Sequence, residues 1–206
     1  MPDWNLESVR QCFATSSVNW GPLGQWVAAL VTLAVLIYAV WKDFWMRPKL
    51  LLSFENDRDV KKQDNTVGLS SPSIRSTWLR VHVTNRKGRR VAKNCRAYLV
   101  GIAKLPERED VFPNDVRQMY WMHDDPQARP GARDLLPGVA HWIDVAGAIE
   151  GDPLLKVCVS PPWALKSPGE YVFTIQVSAE EAVPASVKVR GTWDGRWHSL
   201  RGDPFG

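Results

Sequence analysis

The run Tyr171-Val-Phe-Thr-Ile-Gln-Val177 alternates without a break, with Tyr171, Phe173, Ile175 and Val177 at one parity and Val172, Thr174 and Gln176 at the other. Because successive side chains of a strand point to opposite faces, this pattern predicts a strand with one face in a core. Working outward, Ser186–Trp193 repeats the pattern, and Trp78–Thr84 sets Leu79, Val81 and Val83 against Arg80, His82 and Thr84. Lys49–Glu55, Arg96–Lys104, Arg117–Met122, Val139–Val145, Leu154–Ser160 and Trp197–Leu200 complete the expected strands, with Asp194-Gly195 as a hairpin turn. Eight or nine short strands broken by Pro and Gly fit an antiparallel β-sandwich, with a closed β-barrel as the second choice. The polar stretch 56–76 reads as a mobile loop, and the β domain is expected over residues 47–206.

Between Arg10 and Lys42 the chain carries 31 residues without a charge, the second half almost wholly apolar. At about 1.5 Å per residue, Gly21 to Trp41 covers roughly 30 Å, the thickness of a bilayer's hydrocarbon core. A signal peptide would need a basic leader and a small-residue cleavage site. Here residues 1–19 carry Asp3 and Glu7 against Arg10, and the apolar run ends in Trp41-Lys-Asp-Phe-Trp45. A transmembrane helix over residues 20–46 is therefore expected, with Trp20, Trp26, Trp41 and Trp45 as interfacial anchors. The leader itself reads as a short surface helix or a disordered terminus. Lys42, Arg47, Lys49, Arg58, Lys61 and Lys62 follow the apolar run that ends at Trp41, whereas Arg10 stands alone before it. The positive-inside rule then places the N-terminus outside the inner membrane of a cell and the β domain in the cytoplasm.

The net charge is +4, from 26 Lys and Arg against 22 Asp and Glu. Spread over a whole domain this is nearly neutral, so nucleic acid is not expected as a partner. The densest cluster, Arg86-Lys87-Gly88-Arg89-Arg90, reads either as a solvated turn or as a contact for an anionic surface such as lipid headgroups. Cys12, Cys95 and Cys158 form an odd, scattered set without a disulfide framework. His82, His123, His141 and His198 lack the close spacing of a zinc site, and no metal or cofactor is expected. Nucleophile elbows and phosphate loops are missing too, which leaves no catalytic residue to name. Trp193-Asp-Gly-Arg-Trp197 suggests two indoles paired across a tight turn.

The run Val81-x-Val-x-Asn85-Arg-Lys-Gly88-Arg-Arg-Val-Ala92-Lys-Asn94-Cys95 resembles the second hairpin of immunoglobulin-like bacterial domains of the CARDB type. There a strand ends in Asn, Gly turns the chain, and a small residue opens the return strand. The helix followed by Arg47-Pro48-Lys49-Leu50 and a strand is similar to the entry of a recurrent class of prokaryotic single-pass membrane proteins. The resemblance implies an immunoglobulin-like sandwich and an interaction role, and carries no catalytic residue. The expected function is a non-enzymatic, membrane-anchored adaptor or sensor, binding another protein through the loops of Val111–Gly138. The expected partners are the bilayer and that protein, with a homo-oligomer left open. Two alternatives stand beside it: an effector whose helix oligomerises and perturbs the bilayer, and an extracytoplasmic adhesion or carbohydrate-binding module if the topology is reversed.

Overall fold

The computed structural model of the chain describes residues 21–55, 59–65, 74–112, 115–122, 124 and 129–205. The leader, with Trp20 and Cys12, lies outside these residues, as do Arg58 and His123. The chain divides into two compact units, Met1–Trp45 and Met46–Gly206.

In the first unit the apolar run is helical: α1 covers Gly21–Met46. It is long and apolar enough to cross a membrane, with a mean hydropathy of 2.0 over its most apolar window, none of it buried by protein. Trp26, Trp41 and Trp45 are exposed near its two ends, and Trp41 touches both Tyr38 and Trp45. Thr32 donates its hydroxyl to the Ala28 carbonyl at 2.8 Å. Its polarity is thereby satisfied inside the helix, as a hydrocarbon environment requires.

The second unit is mainly β, built as two antiparallel sheets that do not close into a barrel. Among the described residues the first sheet holds β1 (Leu50–Ser53), β2 (Val60–Asn65), β3 (Ile74–Asn85), β8 (Ala140–Ile149), β9 (Leu155–Val157) and β11 (Trp163–Leu165). The second is ordered β10 (Val159–Ser160), β6 (Arg117–Met119), β4 (Ala92–Leu105), β12 (Gly169–Ser178), β13 (Ala185–Trp193) and β14 (Arg201–Pro204). The short β5 (Glu109–Asp110) and β7 (Arg133–Leu135) pair with β4. The alternating faces fall as the sequence predicts: Tyr171, Phe173, Ile175 and Val177 are buried with Leu79, Val81 and Val83 in one continuous core. Each such side chain removed from water contributes about 1.5–3 kcal/mol.

Several expectations about connections are corrected. Val60–Asn65, inside the expected loop of 56–76, pairs along β3 from Val60↔Leu79 to Asn65↔Ile74. The Asn85-to-Ala92 segment is a crossing and not a hairpin, because β3 belongs to the first sheet and β4 to the second. Its local chemistry is as the motif suggests: Asn85 ends the strand and Gly88 turns at φ +75°, a backbone region open to glycine. Buried Asn85 dictates the crossing. Its side-chain amide donates to the carbonyls of Arg90 (2.7 Å) and Leu135 (3.2 Å), and its oxygen accepts from the Lys49 N–H at 3.2 Å. These bonds draw the outgoing chain to three separate segments instead of back along β3.

The expected strand Trp197–Leu200 is a 3₁₀ turn at Trp197–Ser199, and the return strand β14 starts at Arg201. Trp193 and Trp197 therefore do not pair across a hairpin. Trp193 is buried opposite Gly169, while Trp197 meets the ring of His198. Asp194 explains the longer turn: its carboxylate accepts from the Arg196 N–H (2.9 Å), and its own N–H donates to Ser199 Oγ (3.1 Å). That local network favours a compact turn over a two-residue hairpin.

Candidate functional site: an aromatic cleft where the chain changes sheet

Leu154–Ser160, expected as one strand, is divided between the two sheets. Val157 ends β9 in the first and Val159 opens β10 in the second, with Cys158 alone between them. The cause lies in β8, where Leu79 pairs with Ala146 but Arg80 pairs with Asp144, so Val145 is an extra residue. Such a bulge bends its strand and loosens its ladder. The carbonyl of Val145 accepts from the Cys158 N–H at 3.0 Å, and the Cys158 carbonyl accepts from the Tyr120 N–H at 3.2 Å. One residue thus bonds to β8 of the first sheet and to the residue that follows β6 of the second.

A cleft of about 520 Å³ opens at this seam, lined by Trp78, Tyr120, Trp121 and Trp163 together with Pro162 and Ala164. Trp78 comes from β3 and sits across the ladder from Gly147. A Cβ at residue 147 would lie 2.5 Å from the Trp78 ring, so glycine is what lets the indole lie down on the sheet. Trp78 Nε1 donates to Ser76 Oγ at 2.8 Å. Trp163 is held from behind by Phe112, edge-on at 5.2 Å and 87°, and the Arg117 guanidinium covers Phe112 at 5.4 Å. Trp121 is fully buried, and its indole N–H meets no acceptor among the described residues. Its side chain backs the wall of the cleft.

Three charged side chains reach the cleft, and each has a partner of its own. Asp144 takes Arg80 Nε at 2.7 Å, in a pair whose side chains are 19 % and 8 % exposed. Asp124 takes Arg133 at 2.6 Å and accepts from the Trp121 N–H at 3.0 Å. Lys156 pairs with Asp152 at 3.0 Å, and that hydrogen bond holds the Asp152 carboxyl below its ordinary range. Cys158 stands in the wall, where burial pushes its thiol above the usual thiol range, and the Asp144 charge acts the same way. A thiol so placed is held as a neutral SH group and is a poor nucleophile. What remains for a ligand is aromatic and aliphatic surface.

The expected recognition segment Val111–Gly138 supplies Tyr120, Trp121 and Asp124, but β3, β8 and the stretch from β9 to β11 supply the rest. Trp78 and Trp163 were not singled out as ligand contacts by the sequence. A signal existed in Trp78, the large apolar residue on the polar parity of its strand. The cationic group is elsewhere, on the turn between β3 and β4, where Arg86, Lys87 and Arg90 are exposed and Arg89 is half-buried. Among the described histidines, His82 meets the Trp142 ring at 5.4 Å and hydrogen-bonds with Ser53 Oγ at 3.3 Å, and His141 meets the Trp121 ring at 6.4 Å.

No family model and no curated protein matches the chain. Among solved structures it is similar to a chain of the archaeal flagellum of Methanospirillum hungatei strain JF1. The identity is 11 % and the TM-score 0.38, over 95 % of this chain and 97 % of that one. A likeness of this size leaves function to be argued from the residues themselves.

Proposed function

We propose that the chain is a non-enzymatic, membrane-anchored binding module that holds an uncharged segment of a protein partner in the aromatic cleft. The observation that carries this reading is the internal pairing of Asp144, Asp124 and Lys156 in a cleft otherwise walled by Trp78, Tyr120, Trp121 and Trp163. Among the described residues of the cleft a charged ligand would find no unpaired counter-charge, and it would lose hydration on entry. Aromatic rings and proline on a peptide carry no charge to desolvate on entering and gain stacking contacts of about 0.5–1.5 kcal/mol each. Location supports the same reading: α1 tethers the domain, and the basic residues that follow the span favour the cytoplasmic face.

Binding is measured with the full chain in nanodiscs against a panel of short blocked peptides, half of them uncharged with Trp, Tyr or Pro and half carrying Asp, Glu, Lys or Arg. The uncharged aromatic set binds, and Trp163→Ala weakens it at least tenfold. Equal binding by Trp163→Ala, or a preference for the charged set, removes the cleft from the function. A phosphatase reporter fused after Gly206 that is active in the periplasm removes the cytoplasmic placement.

A further inference from the structure

The cationic turn is tied to the residues at which the chain leaves α1. The Arg86 N–H donates to the Lys49 carbonyl at 2.9 Å and the Arg90 N–H to the Met46 carbonyl at 2.8 Å, all within the second unit. Leu50 pairs with Asn85 in the first ladder position of β1 and β3. The Asn85 side chain locks the same junction by accepting from the Lys49 N–H at 3.2 Å. Two stretches far apart in sequence, Arg47–Lys49 and Arg86–Arg90, thereby become one surface. On it Arg47, Lys49, Arg86, Lys87 and Arg90 are exposed and Arg89 is half-buried. Carboxylates also face this end of the domain: Glu180 and Glu181 stand around a neighbouring cavity with Arg90 and Lys93. Their negative charge falls on the Arg90 side and leaves Lys49, Arg86 and Lys87 as the strongest part of the patch.

A chain that leaves the hydrocarbon core near Met46 can place residues bonded to Met46 and Lys49 only within a few residues' reach of the bilayer surface. That is inside the distance over which a negatively charged leaflet attracts cations, about one Debye length. We infer that the turn of residues 86–90, together with Arg47 and Lys49, binds phosphate-bearing anionic lipid headgroups of the leaflet in which α1 ends. The inference rests on α1 crossing the bilayer and not on what the aromatic cleft takes.

The test uses the full chain in detergent, titrated with phosphatidylglycerol, with phosphatidylcholine and with inorganic phosphate, and read by native mass spectrometry of bound lipid. The variant is Arg86→Gln/Lys87→Gln, both side chains being exposed. Phosphatidylglycerol is preferred over phosphatidylcholine by the wild type, and the double variant weakens its binding roughly 30-fold, as the loss of two surface cations implies. Inorganic phosphate at the same concentration displaces none of it. An unchanged preference in the double variant overturns the inference. Displacement by inorganic phosphate at equal concentration does so as well, because the site then takes a soluble anion. Trp163→Ala keeps the lipid preference, which separates this site from the cleft. Extraction of the chain from membranes by alkaline carbonate would instead show that α1 does not span.

Discussion

Trp78 and Gly147 face one another across the β3–β8 ladder, and the indole fills the space that a Cβ at residue 147 would need. The glycine has its value in what it lacks. Gly147→Ala places a methyl 2.5 Å from the ring and must lift the indole off the sheet, breaking its bond to Ser76. The expected cost is about 1–3 kcal/mol, read as a lower unfolding midpoint in detergent. Peptide binding falls with it, because the floor of the cleft moves.

Asn85 holds three segments at once through bonds to Lys49, Arg90 and Leu135. Asn85→Ala removes one buried and two part-buried hydrogen bonds and is expected to cost about 3 kcal/mol, from about 1 kcal/mol or somewhat more for each. Asn85→Asp keeps the shape and the acceptor but loses both donated bonds, so it rescues little. Urea unfolding of the two variants measures both.

The buried pair Arg80–Asp144 makes a prediction with two arms. Asp144→Ala removes the carboxylate at 2.7 Å from the buried Arg80 guanidinium and is expected to destabilise by about 3–5 kcal/mol. Replacing both partners by apolar residues, Arg80→Met with Asp144→Leu, costs much less, because neither charge is then left in the interior. A double-mutant cycle on thermal unfolding decides it. Near-additive losses would show that the pair is not coupled.

Alkaline pH weakens the domain through its thiols. Burial pushes the Cys95 thiol up to about 11, with the Asp134 charge adding to it and a backbone hydrogen bond opposing. Between the ordinary thiol value near 9 and that raised value, the folded chain holds a proton that the unfolded chain has lost. The contribution is therefore complete below about pH 9 and is lost as pH rises through about 11. Cys95→Ala flattens that part of the stability profile, measured by unfolding at successive pH values. Unchanged curvature in Cys95→Ala would assign the loss to other groups.

The parts of the fold that follow from period and length were legible. The parity of Tyr171, Phe173, Ile175 and Val177 marked a buried face, and that of Leu79, Val81 and Val83 marked its counterpart. The apolar helix was legible from its length and its missing charges. The connections were less so. Asn85–Ala92 carries the signs of a turn, but those signs are the same whether the next strand pairs with the last or crosses to another sheet. Trp193 to Trp197 misled because Asp194 closes a compact local turn that competes with a two-residue hairpin. Val60–Asn65 has no apolar alternation: Val60 packs against the core, and the polar residues after it follow the ladder to β3.

The cleft was hidden for a related reason. It depends on the extra residue Val145 and on Cys158 bridging two sheets, and neither position differs in composition from an ordinary strand residue. By itself the sequence determined which side chains share a face, which segment suits a bilayer and where the positive charge follows it. These are one-dimensional properties, set by a repeat of two, a rise per residue and a count of charges. Tertiary structure alone decided which strands are neighbours, that Trp78 and Trp163 line one cleft, and that Arg86 lies beside Lys49. Pairing partners depend on backbone hydrogen bonds, which every residue but proline can donate, so side-chain pattern alone leaves them open.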